Sequence, residues 1–424
     1  MRGLFTWQKL PVRMALAVLA SITLVFAASC GKKVTRQDTR PPEVEILSPA
    51  NNSVVSDTVE IRVKAEDDGQ VDKVEFYVDS QLLFTDTKSP WIFDWMTYLY
   101  DDSTQHTIFA VAYDQANNRA TSAPIKVLVR VSRGFYFISD FYTPGMAYDV
   151  FVRGDYAYVA DGEEGLRVIN VGNPMNPSFE ANFNTSGFTQ AVDVQGNYCY
   201  LADRTNGLQI VDVSNPSAPD AAGWFDTRGS ASDLFVSGDF VYVADGAGGL
   251  QIIEITDPAN PDSAAQYSDG ASVKGVFVKG DYAYLATATG LHILNVSDPK
   301  NPTLAGFIST MQYQGNAIFV EGNYAYLAAL TDGLHVFDVS DPYDPVELEV
   351  VYNPGGKAYG VFVKNDLAYI AFGEEGVHVI DVTNPRQMKF VNRFYTEGKS
   401  FDLFVSDRFV YVADSFSLVI LRLS

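Results

Sequence analysis

Carboxylates are the side chains most able to do chemistry here, because they recur at fixed intervals along the chain. Asp161, Asp203, Asp245 and Asp414 share one position of a repeating pattern, and Asp149, Asp233 and Asp402 share another, twelve residues earlier. The remaining copies carry Thr287, Ala329 and Phe372 at the first position, and Ala191, Gly275, Ala317 and Gly360 at the second. Loops beside them add Glu163, Glu164, Glu374 and Glu375, and the aromatics Tyr148, Phe188, Tyr359 and Phe401 stand just before the second set. Residues that only close a turn should recur in every copy, whereas an asymmetric ligand on a symmetric scaffold demands asymmetry. An acidic half-ring bordered by aromatics suits a cation, a basic peptide segment or a glycan. A catalytic alternative is acid–base cleavage of an extracellular polymer by a pair such as Asp149 and Asp161, at the ~5–10 Å spacing that glycoside hydrolysis uses. The competing explanation is turn-capping Asp with drift in three copies.

Other chemistry has less support. No His-Glu-x-x-His, Gly-x-Ser-x-Gly, P-loop or dinucleotide pattern occurs, so no catalytic residue and no cofactor is assigned. Cys199 stands where other copies have Ala157, Val241, Ala283, Ala325, Ala368 and Val410, which makes it core filler. His292, His335 and His378 fall at one equivalent position of three successive copies, a whole repeat apart, whereas zinc ligands lie ~2 Å from one ion. Packing or hydrogen bonding between copies is expected of them, and no metal site is assigned. With Asp+Glu 52 against Lys+Arg 30, the net charge of −22 repels phosphate backbones and disfavours nucleic acid.

The elements that position these residues follow from the period. An aromatic recurs as Tyr158, Tyr200, Tyr242, Tyr284, Tyr326, Tyr369 and Tyr411, at a spacing of 42 residues with a single step of 43. A period near 40–50 residues with several strands per unit indicates a β-propeller. Each unit has a first strand such as Val150-Phe151-Val152, a second such as Tyr156 to Ala160, and a third such as Gly165 to Val171. An Asp-Pro or Asn-Pro turn then leads into an outer strand. The seventh unit stops after its third strand, at Leu418 to Leu421. Phe141-Tyr142-Thr143-Pro144-Gly145, ahead of the first unit, repeats the form of Phe394-Tyr395-Thr396-Glu397-Gly398. The segment from Phe135 to Tyr142 is therefore expected to supply the missing outer strand and close the ring, leaving no open edge. In such a ring both sets of carboxylates should face one side.

The run Gly-Leu-x-Ile/Val-x-Asp-Val followed by Val-Ser-Asp/Asn-Pro resembles the LVIVD-repeat propellers of bacterial and archaeal surface proteins. The seven copies, with the closing segment, make a seven-bladed propeller over 135–424; the resemblance implies propeller architecture and an exported setting, but no reaction.

Ahead of the propeller, residues 41–131 read as an immunoglobulin-like β-sandwich, so the whole chain is all-β. Val59, Ile61, Val63 and Ala65 alternate, as do Val74, Phe76 and Val78, with turn clusters such as Asp67-Asp68-Gly69 between. Val71 to Asp79 and His106 to Asp114 resemble the Ig-like modules of bacterial surface proteins and glycosidases. Asp67, Asp68, Asp79 and Asp114 sit at strand ends, as Ca²⁺ ligands or, more simply, as solvated turn carboxylates.

Residues 1–29 carry Arg2, Lys9 and Arg13 and then an apolar run from Met14 to Ala28, the layout of a secretory signal. Ala27-Ala28-Ser29-Cys30 resembles the lipobox of bacterial lipoproteins, which implies Cys30 as a lipidated first mature residue. Plain cleavage after Ser29 is the alternative. Loss of those three cations with no acid takes the charge from −22 to −25. Residues 30–40 form a polar, basic tether. The expected whole is a lipid-anchored protein of the cell envelope, at the outer membrane or cell surface, whose propeller binds a surface protein, a glycan or a cation. A purely structural adhesion component is the third alternative.

Overall fold

The computed structural model describes residues 38–423 apart from 101–102, 131–134, 310–313, 349–350 and 407. The signal segment, Cys30 and most of the tether lie outside the described residues. Among the described residues no helix is long and apolar enough to cross a membrane.

The N-terminal unit is a two-sheet sandwich. One sheet orders Glu43–Ser48, Thr58–Glu66 and Trp91–Met96. The other orders Ser53–Val55, Ile125–Val129, Gln105–Asp114, Val71–Val78 and Gln81–Asp86. The alternating residues face inward as the period of two requires, and Ile61, Val74, Phe76, Trp95, Ile108 and Val127 fill the space between the sheets. Two contacts tie this unit to the closure of the propeller: the Tyr136 hydroxyl donates to Asp57 Oδ1 at 3.0 Å, and Arg422 Nη2 donates to the Tyr100 carbonyl at 3.0 Å.

Seven sheets follow, six of them built from four consecutive strands in sequence order. Blade 1, for example, is Asp149–Arg153, Tyr156–Ala160, Leu166–Asn170 and Ser178–Phe183. Second and third strands are buried on both faces, because each blade is covered by its neighbours; Ala157, Val159, Ile169 and Val171 of blade 1 pack on Tyr411, Ala413, Leu418 and Ile420 of blade 7. The glycine opening the third strand in blades 1 to 6, where blade 7 has Ser417, has a positional reason. Gly165 has φ +80°, and a Cβ there would lie 2.4 Å from the Phe183 carbonyl oxygen of the outer strand. Gly207 meets Phe225 in the same way at 2.3 Å, so in these blades a side chain would collide with the outer strand.

Blade 7 closes as the sequence predicts. Phe135–Ala147 pairs antiparallel with Phe409–Leu423, in a register that runs from Phe135 with Leu423 to Tyr142 with Ser417. One difference emerges: the second and third strands of this blade are a single bent strand, Phe409–Leu423. The connection between them is one residue shorter here than in blade 1, Asp414 to Ser417 against Asp161 to Gly165, a shortening shared by blade 4 at Thr287 to Gly290, where the strands stay separate.

Candidate functional site at the mouth of the central channel

The two sets of aspartates that look alike in sequence have different fates in the fold. Those ending the second strands turn inward and are shut off from solvent: Asp161, Asp203 and Asp245 are 0% exposed and Asp414 is 2% exposed. Each holds the loop that enters its own blade. Asp203 Oδ1 accepts from the Thr185 and Thr189 hydroxyls at 2.9 and 3.1 Å, Asp245 Oδ1 accepts from Thr227 at 2.6 Å, and Asp414 accepts from the Gly398 N–H and the Ser400 hydroxyl. Asp161 accepts from the Gly145 N–H and from Arg167 Nε at 3.1 Å. A Thr-x-Gly sequence marks this clasp at Thr143, Thr185, Thr227 and Thr396, ahead of those four blades and no others. The asymmetry at this position therefore has a structural origin. It also leaves the proposed acid–base pair without an open partner, since Asp161 cannot touch a substrate.

Blades 4 to 6 hold the same region with histidine instead. His292 Nδ1 lies 2.9 Å from Asp269 Oδ2, His335 Nδ1 lies 2.9 Å from Glu347 Oε1, and His378 Nδ1 lies 2.9 Å from the Tyr352 hydroxyl. The three are paired separately, as their spacing requires: His335 within blade 5, His292 with the loop that leads from blade 3 into blade 4, and His378 with Tyr352 at the outer edge of blade 5. Burial, with help from the Arg393 charge, pushes His378 down from 6.5 to about 4. The unfolded chain therefore takes up this proton first as pH falls. The associated stability is complete above pH 6.5 and is lost progressively towards pH 4, by up to about 3 kcal/mol. His378→Gln is expected to remove this acid sensitivity, read as the melting temperature between pH 6.5 and 4.5.

Cys199 is wholly buried, and burial raises its thiol well above the ordinary value, which removes it as a nucleophile. The Ig-unit acids do not form one site. Asp79 accepts from the Thr107 N–H and pairs with His106, and Asp114 accepts from Asn118. Asp67 and Asp68 converge with Asp38, but the Arg40 guanidinium already sits on Asp68 at 2.9 Å.

Asp149, Asp233 and Asp402 lead somewhere else. They stand at the channel end of the first strands and line one cavity of about 160 Å³, with Tyr148, Gln190 and Lys274 on its rim. Each is held rigidly by backbone. Asp149 Oδ1 accepts from the Val150 N–H at 2.6 Å, and Oδ2 from the Val192 N–H of the next blade at 2.8 Å. Asp233 repeats this with Leu234 and Val276 at 2.8 and 2.9 Å. Asp402 accepts from Leu403 at 2.8 Å.

A fourth carboxylate, Asp193, lies two residues deeper and was missed in sequence. The other six blades have Phe151, Phe235, Phe277, Phe319, Phe362 and Phe404 at its position. Those rings touch around the channel with centroids 4.7 to 5.6 Å apart, and Asp193 fills the gap between Phe151 and Phe235, bonded to the Val194 and Val236 N–H groups. A single Asp interrupting a run of Phe was the signal available.

Crowding so many acids into a narrow channel has an electrostatic consequence. Burial, opposed by the backbone N–H bonds and reinforced by the neighbouring aspartates, pushes Asp233 up to about 7 and Asp149 to about 6. Burial alone takes Asp193 to about 6, and burial with the Asp149 charge holds Asp402 well above the carboxylate range. Above the cavity the aromatics form a rim: Tyr148 lies 4.9 Å from Phe401 and 5.2 Å from Phe188, and Tyr359 lies 5.1 Å from Phe401. The Arg204 guanidinium covers Phe188 at 3.8 Å. The channel oxygens do not converge as metal ligands do. Among the described residues the acidic trio that converges is Asp38, Asp67 and Asp68.

Comparison with known proteins places this architecture. No curated protein matches the chain. The family described as bacterial Ig domain matches residues 42–110. Among solved structures, virginiamycin B lyase from Staphylococcus aureus is similar with a TM-score of 0.56 at 9% identity, over 68% of this chain and 100% of that one. The β-propeller domain of Cps50 (Swd1) from Myceliophteria thermophila gives 0.55 at 10% identity, over 68% and 100%. At such identities these likenesses establish the fold alone. The LVIVD repeat matches seven times, at 144–185, 186–227, 228–269, 270–310, 314–352, 355–396 and 397–424, and with these copies spanning most of its length the chain belongs to the LVIVD-repeat family.

Proposed function

We propose that this protein is an envelope-tethered binding protein whose propeller takes a cationic group of a partner, an ammonium or guanidinium, into the carboxylate-lined mouth of its central channel. A propeller of LVIVD repeats indicates a binding or interaction module. The observation that carries the finer reading is the meeting of Asp149, Asp233 and Asp402 in one small cavity beneath an aromatic rim. Asp149, Asp233 and Asp402, with Asp193 beneath, outnumber the cations Lys274 in the lining and Arg204 over the rim, and aromatic faces beside carboxylates suit organic cations. Because the three do not supply converging oxygens, a bare Ca²⁺ ion is the poorer fit.

Protonation should switch this site off. With Asp149 pushed up to about 6 and Asp233 to about 7, the site is anionic at pH 8 and loses charge as pH falls through 7 to 5. Affinity for a lysine-rich peptide is expected to drop by about tenfold or more across that range, measured by calorimetric titration of the folded protein. Affinity that is flat between pH 8 and 5 contradicts the assignment.

The tether rests on the signal-like segment and Ala27-Ala28-Ser29-Cys30. Two or more acyl chains suffice for stable anchoring. Cys30→Ala is expected to move the protein from the membrane pellet to the soluble fraction, and to abolish labelling by palmitate. Retained labelling would exclude lipidation at Cys30.

A further inference from the structure

The closure of the ring creates a second surface feature, larger than its counterpart of about 420 Å³ at blade 4. Where blade 6, blade 7 and the strand Phe135–Ala147 meet, a groove of about 530 Å³ opens, within the ~300–1,000 Å³ of small-molecule sites. Its walls are aromatic and unusually bare: Tyr142 is 68% exposed, Tyr395 56%, Phe416 54% and Phe137 48%. Phe137 stacks on Phe394 with the ring planes 7° apart, so these faces are held in place.

Phe137 has counterparts in Phe179 and Phe390, but the other three aromatics belong to this groove and not to the repeat. Positions equivalent to Tyr142 and Tyr395 carry Asn184, Asp226, Ser268 and Asn353 in other units, and Phe416 sits in a shortened connection where blade 4, the other blade so shortened, has Thr289. Exposed carboxylates, Asp140 and Glu397, flank the rings, and the Arg393 guanidinium lies 3.9 Å above the Tyr395 ring.

We propose that this groove binds a neutral oligosaccharide. Flat, fixed aromatic faces take the C–H face of a sugar ring, and carboxylates accept from vicinal hydroxyls while the guanidinium donates. The charge pattern excludes the main competitors. A polyanion meets a chain of net charge −22 and two carboxylates at the groove. A basic peptide would bring its cations against the Arg393 guanidinium that lies over Tyr395. This site is separate from the channel mouth and does not depend on the reading given to it.

Calorimetric titration of the full protein with maltotriose and chitotriose tests the inference. Saturable binding of at least one is expected, weakened about tenfold or more by Tyr142→Ala with Tyr395→Ala, and likewise by Phe416→Ala. All three side chains are exposed, so an unchanged melting temperature establishes that the variants remain folded. Asp149→Asn with Asp233→Asn should leave saccharide binding unchanged, which separates failure here from failure at the channel. No heat with either trisaccharide, heat unaffected by the aromatic substitutions, or a groove that instead binds a lysine-rich peptide in a Tyr142-dependent way would each overturn the proposal.

Discussion

Asp233→Asn is expected to raise the melting temperature at pH 8 by about 5 °C, although it weakens one of two native hydrogen bonds at the channel. Asp233 ionises near 7 in the fold, against 3.8 for an ordinary aspartate. The folded state thus holds its proton over a range where the unfolded chain has released it. Stability from this group is complete below pH 3.8 and is lost as pH rises through 7. At about 1.4 kcal/mol per pH unit, keeping the charge at pH 8 costs the fold on the order of 4 kcal/mol. Asparagine removes that cost but accepts only one of the N–H groups of Leu234 and Val276 well, which returns about 1 kcal/mol. The remaining 2–3 kcal/mol corresponds to the rise expected for a domain of this size. In the native protein the same groups predict greater stability at pH 6.5 than at pH 8, before the loss from His378 begins. A fall in melting temperature for Asp233→Asn at pH 8 would show that these carboxylates are structural.

That sign is informative about function. Groups kept at a stability cost are a mark of sites. Burial raises the clasp aspartates Asp161, Asp203, Asp245 and Asp414 as well, but there the cost has a structural return, since each carboxylate satisfies the loop it holds.

The second large effect concerns closure. A chain that begins at Pro144 lacks the outer strand of blade 7 and exposes the pairing edge of Phe409–Leu423. It also forfeits the packing of Phe135 against blades 6 and 7, and that of Ile138 and Phe141 against the blade 7 and blade 1 interface. At ~1.5–3 kcal/mol for each large side chain fully buried, and less for these partly buried ones, the loss is on the order of 4–6 kcal/mol before the backbone pairing is counted. This chain is expected to aggregate or to melt at least ~10 °C lower, as judged by calorimetry and gel filtration. A chain beginning at Phe135 keeps the strand and should melt with the parent propeller. Equal stability of the two would refute the closure.

Much of this fold is written in the chain. The tyrosine period from Tyr158 to Tyr411 gives blade count, and the likeness of Phe141 to Gly145 with Phe394 to Gly398 gives the closing strand, because both are local patterns repeated in register. The site was only half legible. Asp149 and Asp161 are both strand-end aspartates and their sequence contexts do not announce which way the side chain turns. That direction is decided by a partner sixteen to eighteen residues upstream, such as Thr185 for Asp203, and the Thr-x-Gly signal becomes meaningful only once the loop is seen to fold back. Asp193 went unnoticed for a different reason. Its environment is assembled from the first strands of all seven blades, and no local window contains it.

The most direct test of the central claim is a calorimetric titration of the folded protein at pH 8 with a lysine-rich peptide, repeated with Asp149→Asn and Asp233→Asn combined. Saturable binding by the parent, with affinity reduced about 100-fold or more in the doubly substituted protein, is predicted from the loss of two charge-assisted contacts. Equal affinity in both proteins, or no binding by the parent, would contradict a cation site at the mouth of the channel.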